Sequence, residues 1–227
     1  MFMGRFQESR ALERPYVILN AAMTLDGKIA TVSGDSRISS ETDLEELHRL
    51  RSDVDAVMIG IGTELGDDPL LTVRRVKGKN PVRVIVDSFA RMPIHSRLLK
   101  VRDGGRVILG VSESAPSSRI RRLEEAGVNV IRCGKRKVDL NSLLERLHQL
   151  GIKRLLLEGG GNLNWSFLAA RLVDEVRVTV APLVVGGKEA TTLVEGPGIT
   201  DMDGAIRLSL RDVSRCGEEV VLVYSVK

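Results

Sequence analysis

The stretch LLLEGGGNLN, at positions 155–164, places a carboxylate beside three successive glycines. An apolar run typical of a buried strand ends at Glu158, and a helical pattern follows the glycines. Where a glycine turn leads into a helix, free backbone N–H groups converge and the helix dipole favours an anion. Glycine also lets a pyrophosphate approach the backbone closely. A tight turn without a ligand would not require three glycines, so we favour an anion-binding turn.

Two common nucleotide-binding motifs are absent from this turn. Neither GxGxxG nor GxxxxGK[ST] occurs there. The segment GIGTELG, residues 60–66, has one residue too many for the second motif, and it leads into Asp67-Asp68-Pro69 rather than into a helix. A dinucleotide, if one binds, must therefore be held by another architecture.

Polar side chains also follow other predicted strands, at the position where open α/β sheets bind their ligands. Thr63 and Asp67 follow one buried strand, and Ser88 follows the next. Ser36 lies in the polar loop GDSR, residues 34–37, where serine and arginine together can grip a phosphate. An ordinary surface loop is an equally good interpretation of that segment.

The segment NAAMTLDGKIA, residues 20–30, contains a hairpin signal. Asp26-Gly27 between two apolar runs is typical of a tight turn, and that interpretation suffices for both residues. It does not explain Asn20 or Thr24, which are polar residues within or just after a strand pattern.

An alternation of strands and helices must position these groups. Ser40-x-x-Asp43 is a capping-box pattern that opens a helix, and Asp139 caps another. Further helices are predicted over residues 116–126 and 163–172. Short apolar runs predict strands over residues 16–22, 28–32, 54–61, 81–87, 106–111, 128–132 and 153–157.

This alternation predicts parallel strands with helices on both faces of the sheet. The runs at 173–185, 205–213 and 220–226 have no helix between them and suggest antiparallel strands added at the sheet edge. We therefore predict one α/β domain over residues 15–227 with a mixed, mostly parallel sheet. Residues 1–14 mix both charges, do not resemble a signal peptide, and are interpreted as a mobile arm.

Composition narrows the class of protein. The net charge is +4, but the basic residues are spread along the chain and aromatic residues make up only 3%, which gives little support to nucleic-acid binding. No apolar run approaches the length of a membrane span. The two cysteines form no CxxC motif, so we expect no zinc site and reduced thiols in a cytoplasmic protein. The three histidines do not suggest a histidine mechanism.

Six motifs, in this order, resemble the reductases of riboflavin biosynthesis, and most closely the stand-alone archaeal enzymes. They are NAAMTLDGKIA, GDSRIS, GIGTELGDDPLLTVR, NPVRVIVDS, LLLEGGGNLNWSFL and VDEVRVTVAPLVVGGKEA. The resemblance covers residues 15–227 and implies a dihydrofolate-reductase-like fold, NADPH as cofactor with NADH possible, and a homodimer. The HxE and PCxxC motifs of the deaminase that is often fused to such reductases do not occur.

The resemblance also implies the reaction and the site. The expected reaction reduces the ribosyl group of 2,5-diamino-6-ribosylamino-4(3H)-pyrimidinone 5′-phosphate by hydride transfer to C1′ of a ring-opened Schiff base. The implied cofactor-binding residues are Ala22, Thr63, Asp67, Val86, Asp87, Ser88, Phe89, Cys133, Gly134, Gly159, Gly160, Gly161 and Asn162. The implied substrate-binding residues are Asn20, Ser36, Arg51, Leu71, Arg74 and Glu158.

We assign roles within this site as hypotheses. Arg51 and Arg74 would neutralise the substrate phosphate, Ser36 would hydrogen-bond it, and Glu158 would orient pyrimidine amino groups or ribose hydroxyls. The proton would come from Asp26, Lys28 or a water molecule. Ser88 and Arg91 would bind the cofactor's 2′-phosphate, whereas Asp87 would instead bind a free 2′-hydroxyl.

Three alternatives remain open. The first is a reductase of the deaminated pyrimidine or of a pterin on the same fold. The second is a dinucleotide-binding module without catalysis. A nucleic-acid binder is the weakest of them.

Overall fold

A computed structural model of the chain describes residues 14–101 and 105–227. The helices are α1 Glu41–Asp53, α2 Ile61–Asp67, α3 Arg97–Lys100, α4 Ser117–Glu125, α5 Leu140–Gln149 and α6 Gly161–Ala169. The strands are β1 Tyr16–Thr24, β2 Ala56–Gly60, β3 Val82–Val86, β4 Val107–Val111, β5 Asn129–Arg132, β6 Arg154–Leu157, β7 Glu175–Ala181, β8 Leu208–Cys216 and β9 Glu219–Val226.

All nine strands form one sheet in the order β5-β4-β3-β2-β6-β1-β7-β9-β8. The seven strands from β5 to β7 are parallel, while β9 runs antiparallel to β7 and β8 antiparallel to β9. The predicted mixed, mostly parallel sheet with antiparallel C-terminal strands is confirmed. One detail of the tail was wrong, because β7 is parallel to its other neighbour, β1.

The core lies on both faces of the sheet because successive residues of a buried strand point to opposite sides. Leu19 and Leu157 belong to one apolar cluster, and their neighbours Ile18 and Leu156 belong to the other. The continuous apolar runs in the sequence thus reflect helices packed on both faces, as predicted.

Two helix starts follow the predicted caps. Ser40 precedes α1 and its hydroxyl accepts a hydrogen bond from the Asp43 N–H, and Asp139 caps α5 by accepting from the Ser142 N–H. Each cap satisfies one of the backbone donors that a helix start leaves free.

Two predicted segments differ from the structure. Residues 28–32 do not form the predicted strand, and Lys28 makes only an isolated bridge to Thr192. The predicted tight turn before Lys28 is present, because the Gly27 N–H donates to the Thr24 carbonyl. Residues 61–67, for which the sequence predicted no helix, form helix α2, which follows β2 directly. Ile61 and Glu64 are buried on one side of this helix.

The predicted arm, residues 1–14, lies outside the described residues except for Arg14. The Arg14 guanidinium donates to both carboxylate oxygens of Asp174, at 2.7 and 2.9 Å. Among the helices in the described part of the chain, none has both the length and the apolar character needed to cross a membrane.

Candidate active site

The predicted site residues lie on several strands whose carboxyl ends share one edge of the sheet. Glu158 follows β6, the Asp87–Phe89 segment follows β3, and Cys133 follows β5. Strand β1 continues beyond its pairing with β6, which ends at Leu19 and Leu157. Because β1 is longer, its residues Asn20 and Ala22 stand at the same edge.

A buried ion pair joins Glu158 to helix α1. The Arg51 guanidinium donates from Nε to Glu158 Oε1 at 2.8 Å and from Nη2 to Oε2 at 2.7 Å, and its Nη1 donates to the Thr72 carbonyl. The side chains of Arg51 and Glu158 are only 8% and 11% exposed. Burial lowers the pKa of Arg51, but the adjacent Glu158 carboxylate outweighs it and raises the pKa overall.

This pairing corrects the role that we predicted for Arg51. Its guanidinium is committed to Glu158 and to a backbone carbonyl, so it is not free to neutralise a substrate phosphate. It instead holds the Glu158 carboxylate in one orientation, because a bidentate pair with arginine fixes the carboxylate plane.

The glycine turn is held against β2 and α2. The Gly60 N–H donates to the Gly159 carbonyl at 2.8 Å, and the Gly160 N–H donates to Thr63 Oγ1 at 3.0 Å. Gly159 has a φ of 83°, a conformation that favours glycine. Thr63 and the glycines, predicted from distant parts of the sequence, are therefore in contact. Helix α6 starts at this turn, where a helix has backbone N–H groups without intrahelical partners.

Packing accounts for part of the glycine requirement. A Cβ atom on Gly161 would lie 2.6 Å from the Thr192 carbonyl oxygen, which the structure cannot accommodate. A Cβ on Gly160 would lie 3.4 Å from Thr63 Oγ1, close to ordinary contact. Gly161 thus has a structural reason to be glycine that involves no ligand, whereas packing alone does not require glycine at position 160.

Two asparagines of α6 connect the turn to residues 193–195. Asn162 donates to the Glu195 carboxylate at 2.8 Å. Asn164, which the sequence analysis missed, is 1% exposed and donates from Nδ2 to the Leu193 carbonyl. Its Oδ1 has no hydrogen-bond partner within the described ranges and faces Gly159. A polar residue among the apolar positions of α6 was the available signal.

The loop after β3 is built around Asp87, which is fully buried. Its carboxylate accepts from the Met92 N–H at 2.8 Å and, at 3.4 Å, from the Phe89 N–H and the Arg91 Nε. The structure is against the alternative role for Asp87, binding a free ribose 2′-hydroxyl, because its carboxylate is buried and accepts hydrogen bonds from its own loop. Phe89 itself is exposed.

Hydrogen bonds tie this loop to those after β4 and β5. The Ser88 carbonyl accepts from the Ser112 hydroxyl at 2.7 Å, and the Ser88 hydroxyl accepts from the Val138 N–H at 3.1 Å. The Ser114 hydroxyl donates to the Lys135 carbonyl at 2.8 Å. We call these three segments, residues 87–92, 112–114 and 133–138, the loop clamp.

Cys133 and Gly134 lie in the loop clamp for different reasons. The Cys133 side chain packs in an apolar cluster, and burial raises the pKa of its thiol to about 11. The Cys133 thiol is therefore neutral and inert at physiological pH. Gly134 has a φ of 83°, and a Cβ there would lie 2.2 Å from the Lys137 carbonyl oxygen, so the backbone requires glycine at this position.

The remaining predicted substrate-binding residues differ in how accessible their side chains are to a ligand. Burial raises the pKa of Asp67 and the Ser36 hydroxyl is close enough to oppose that rise, so these two predicted residues are neighbours. The Leu71 side chain is buried in the core. Arg74 is exposed and donates to the Thr72 hydroxyl, while its backbone N–H donates to buried His48. Partial burial and then nearby arginines lower the pKa of Arg74.

The structure is against Asp26 as a proton donor. Its carboxylate accepts from the Thr24 hydroxyl and from the N–H groups of Val185 and Gly186. These hydrogen bonds, that from Thr24 first, lower the pKa of Asp26 to about 2, so it is ionised at neutral pH. Lys28 donates from Nζ to the Ala190 carbonyl at 3.1 Å. Both residues therefore anchor residues 185–190.

Metal ligands are not assembled in the described part of the chain. No group of three or more histidine, cysteine, aspartate or glutamate side chains comes together there in a way that could hold a metal ion.

Glu64 is a buried acid that the sequence analysis did not single out. It lies in α2, next to Thr63, and is 1% exposed. Neither carboxylate oxygen has a hydrogen-bond partner among residues 14–101 and 105–227. Burial raises the pKa of Glu64 to about 7, the nearby Ser96 hydroxyl opposes that shift, and Asp68 adds to it.

Comparisons with known proteins agree with this architecture. A family model described as the RibD C-terminal domain matches residues 15–222. The chain is 56% identical to the 2,5-diamino-6-ribosylamino-4(3H)-pyrimidinone 5′-phosphate reductase of Methanothermobacter thermautotrophicus, over 94% of this chain and 99% of that protein.

Solved structures show the same fold. RibD of Acinetobacter baumannii superposes with a TM-score of 0.82 at 28% identity, over 96% of this chain but 59% of the RibD chain. Dihydrofolate reductase of Enterococcus faecalis superposes with a TM-score of 0.52 at 12% identity, over 93% of this chain and 96% of that one. The second match confirms the dihydrofolate-reductase-like fold alone.

The Glu64 environment predicts a pH-dependent stability. Because its pKa is raised from 4.5 unfolded to about 7 folded, its contribution is fully present below 4.5 and is lost as pH rises through about 7. Glu64→Gln should remove this dependence, which amounts to as much as roughly 3 kcal/mol. The measurement is denaturant unfolding of both proteins at about pH 5 and about pH 8.

The test compares how the unfolding free energies of the wild type and of Glu64→Gln each change between the two pH values. Burial, followed by nearby arginines, lowers the pKa of His48 to about 4, which gives an opposite slope common to both. Parallel stability curves for the two proteins would contradict the assignment of Glu64.

Proposed function

The chain belongs to the RibD C-terminal domain family, and on that premise we propose that it reduces 2,5-diamino-6-ribosylamino-4(3H)-pyrimidinone 5′-phosphate in riboflavin biosynthesis with NADPH. As a member of this family of reductases it is an oxidoreductase. The chain spans 59% of the RibD chain that it superposes on, so RibD's own activities are not transferred as a whole. The proposal includes a homodimer, as the sequence resemblance implies.

One observation carries the proposal. The buried, arginine-paired carboxylate of Glu158 stands one residue before a glycine turn that starts a helix. A fixed carboxylate accepts hydrogen bonds from amino or hydroxyl groups, and the turn offers N–H donors to a phosphate. The two features together support a site where a polar heterocycle meets a nucleotide.

The residues at the carboxyl edge fit a dinucleotide. The glycine turn and Thr63 are in contact, and the loop clamp follows on the strands beyond them in the sheet. From β6 to β5 there are four strand spacings, about 19 Å, which is long enough for the adenosine half of the cofactor. The nicotinamide of the bound cofactor would supply the hydride.

The loop clamp supports NADPH over NADH. Asp87 is enclosed and cannot take a free 2′-hydroxyl. Lys135, Arg136 and Lys137 are exposed, and none of them is in an ion pair in the part of the chain that the structure describes. We assign the 2′-phosphate to these cations together with Ser88, because Arg91 already has a weak contact with Asp87.

On the substrate side, we keep Arg74 alone of the two predicted arginines as the phosphate ligand. Arg51 neutralises Glu158, whereas Arg74 is exposed and has other arginines around it. Glu158 would accept from the pyrimidine amino groups. This division places the charged end of the substrate toward α1 and its heterocycle beside β6 and β1.

The reaction needs positioning more than acid–base catalysis. The bond from C1′ to the ring oxygen breaks, that oxygen gains a proton, and the hydride adds to C1′. Asp26 is not the proton donor, since it is ionised, so the proton would come from Lys28 or water. Glu158 and Asn20 hold the pyrimidine so that C1′ is presented at the glycine turn.

The direct test is NADPH oxidation followed spectrophotometrically with the diaminopyrimidine substrate, its deaminated analogue and dihydrofolate in parallel. We expect turnover with the diaminopyrimidine and little with dihydrofolate. Preference for the deaminated compound would correct the substrate, and cofactor binding without any turnover would overturn the proposal.

Glu158→Gln should lower kcat/KM by roughly 10- to 100-fold, because an amide cannot match the bidentate pair or the charge. It should also cost about 3 kcal/mol in unfolding free energy, since Arg51 is left buried without its partner. Asp174→Asn is the matched control, because it breaks another bidentate arginine pair at the opposite sheet edge. The control should lose stability and keep its kcat/KM; near-normal kinetics of Glu158→Gln would remove Glu158 from the site.

Lys135→Glu combined with Lys137→Glu should lower kcat/KM for NADPH by at least about tenfold and leave that for NADH within about twofold, because only NADPH carries the 2′-phosphate. Lys79→Glu with Lys153→Glu makes the same change in net charge at the amino edge and should alter neither value. Equal losses with both cofactors would contradict the assignment.

A further inference from the structure

Three neighbouring strands present a row of polar side chains on one face of the sheet. Arg177 of β7 is paired in register with Asn20 of β1. Glu158 comes directly after Leu157, whose partner in β1 is Leu19, so it is level with Asn20. Residues at one level of parallel strands share a face. Asn20 is 8% exposed and lies between an arginine and a carboxylate.

The contact with Arg177 decides how the Asn20 amide is oriented. Arg177 Nη1 lies 2.9 Å from Asn20 Oδ1. A guanidinium can only donate, so the amide oxygen and not its nitrogen must face it. The Nδ2 group, with two N–H donors, is consequently turned away from Arg177.

Arg177 is itself held in place from helix α1. Its Nη1 is 3.8 Å from Asp43 Oδ1, and the same oxygen accepts from the Thr179 hydroxyl at 2.6 Å. The side chains of Arg177 and Asp43 are 12% and 6% exposed, so this contact is largely shielded from solvent. Arg177 lies on the opposite side of Asn20 from Glu158, and it therefore affects the site through Asn20.

We infer that Arg177 is a positioning residue that fixes the Asn20 amide so that its two N–H donors stand beside the Glu158 carboxylate. The pair then offers a donor next to an acceptor, which matches a heterocycle edge that carries a carbonyl beside an amino group. Asn20 would recognise this edge by donating to its carbonyl group. The inference rests on the proposed function and names the part of the substrate that this end of the site recognises.

A double-mutant cycle tests the inference in the holoenzyme. Arg177→Met should lower kcat/KM for the pyrimidine substrate by about tenfold to about 10²-fold, because a freed amide no longer holds the ring in line. The KM for NADPH should change little. In the Asn20→Ala background, Arg177→Met should have almost no further effect, since its target is gone.

Additive losses would show that Arg177 acts on the fold and would overturn the inference, as would unchanged kinetics of Arg177→Met. Arg211→Met is the matched control, because it removes another arginine from the same sheet at an exposed position. Arg211 lies on β8 and donates to the Ser225 hydroxyl on β9. If Arg177→Met does not fold, the cycle is run with Asp43→Asn added, which removes the buried partner charge at the same time.

A spectroscopic measurement separates this inference from the proposed function. The Asn20 side-chain NH₂ signals, assigned by their loss in Asn20→Ala, should be resolved and protected from exchange in the wild type. They should broaden or average in Arg177→Met. Unchanged Asn20 signals would overturn the inference, whereas the expected change without any substrate turnover would overturn only the proposed function.

Discussion

The buried pair of Arg51 and Glu158 is the constraint on which the site depends. A charge removed from water is stable only with a partner of good geometry, and breaking such a pair costs several kcal/mol. The pair therefore fixes the end of α1 against the end of β6, and through the Thr72 carbonyl it also fixes the segment leading to Arg74. The orientation of Glu158 and the path of that segment are two results of one interaction.

Much of the fold could be predicted because buried parallel strands and capped helices leave local signals. Runs of apolar residues and the Ser40 and Asp139 caps depend on neighbours within a few positions. The direction of β7 could not be predicted this way, since its parallel partner β1 is about 160 residues earlier in the chain. Helix α2 was missed because its glycines suggest a loop, while burial of Ile61 against the core favours a helix.

The site was predicted as a set of residues but not as a set of contacts. Motif order brought Thr63 together with the glycines, and the structure agrees. The errors concern ionised groups: Arg51 is 107 positions from Glu158, and Asp87 is enclosed by its own loop. Charge type is visible in a sequence, whereas the partner that cancels it is decided by the packing. For the same reason the contact between Asp43 and Arg177 could not be predicted.

The ion pair of Arg14 with Asp174 has a consequence for chains built around this domain. It holds the start of β1 at the amino edge of the sheet, opposite the glycine turn. A β1 of nine residues separates the two edges by about 30 Å. An additional domain attached ahead of β1, as the longer RibD chain has room for, would therefore join on the far side from this site.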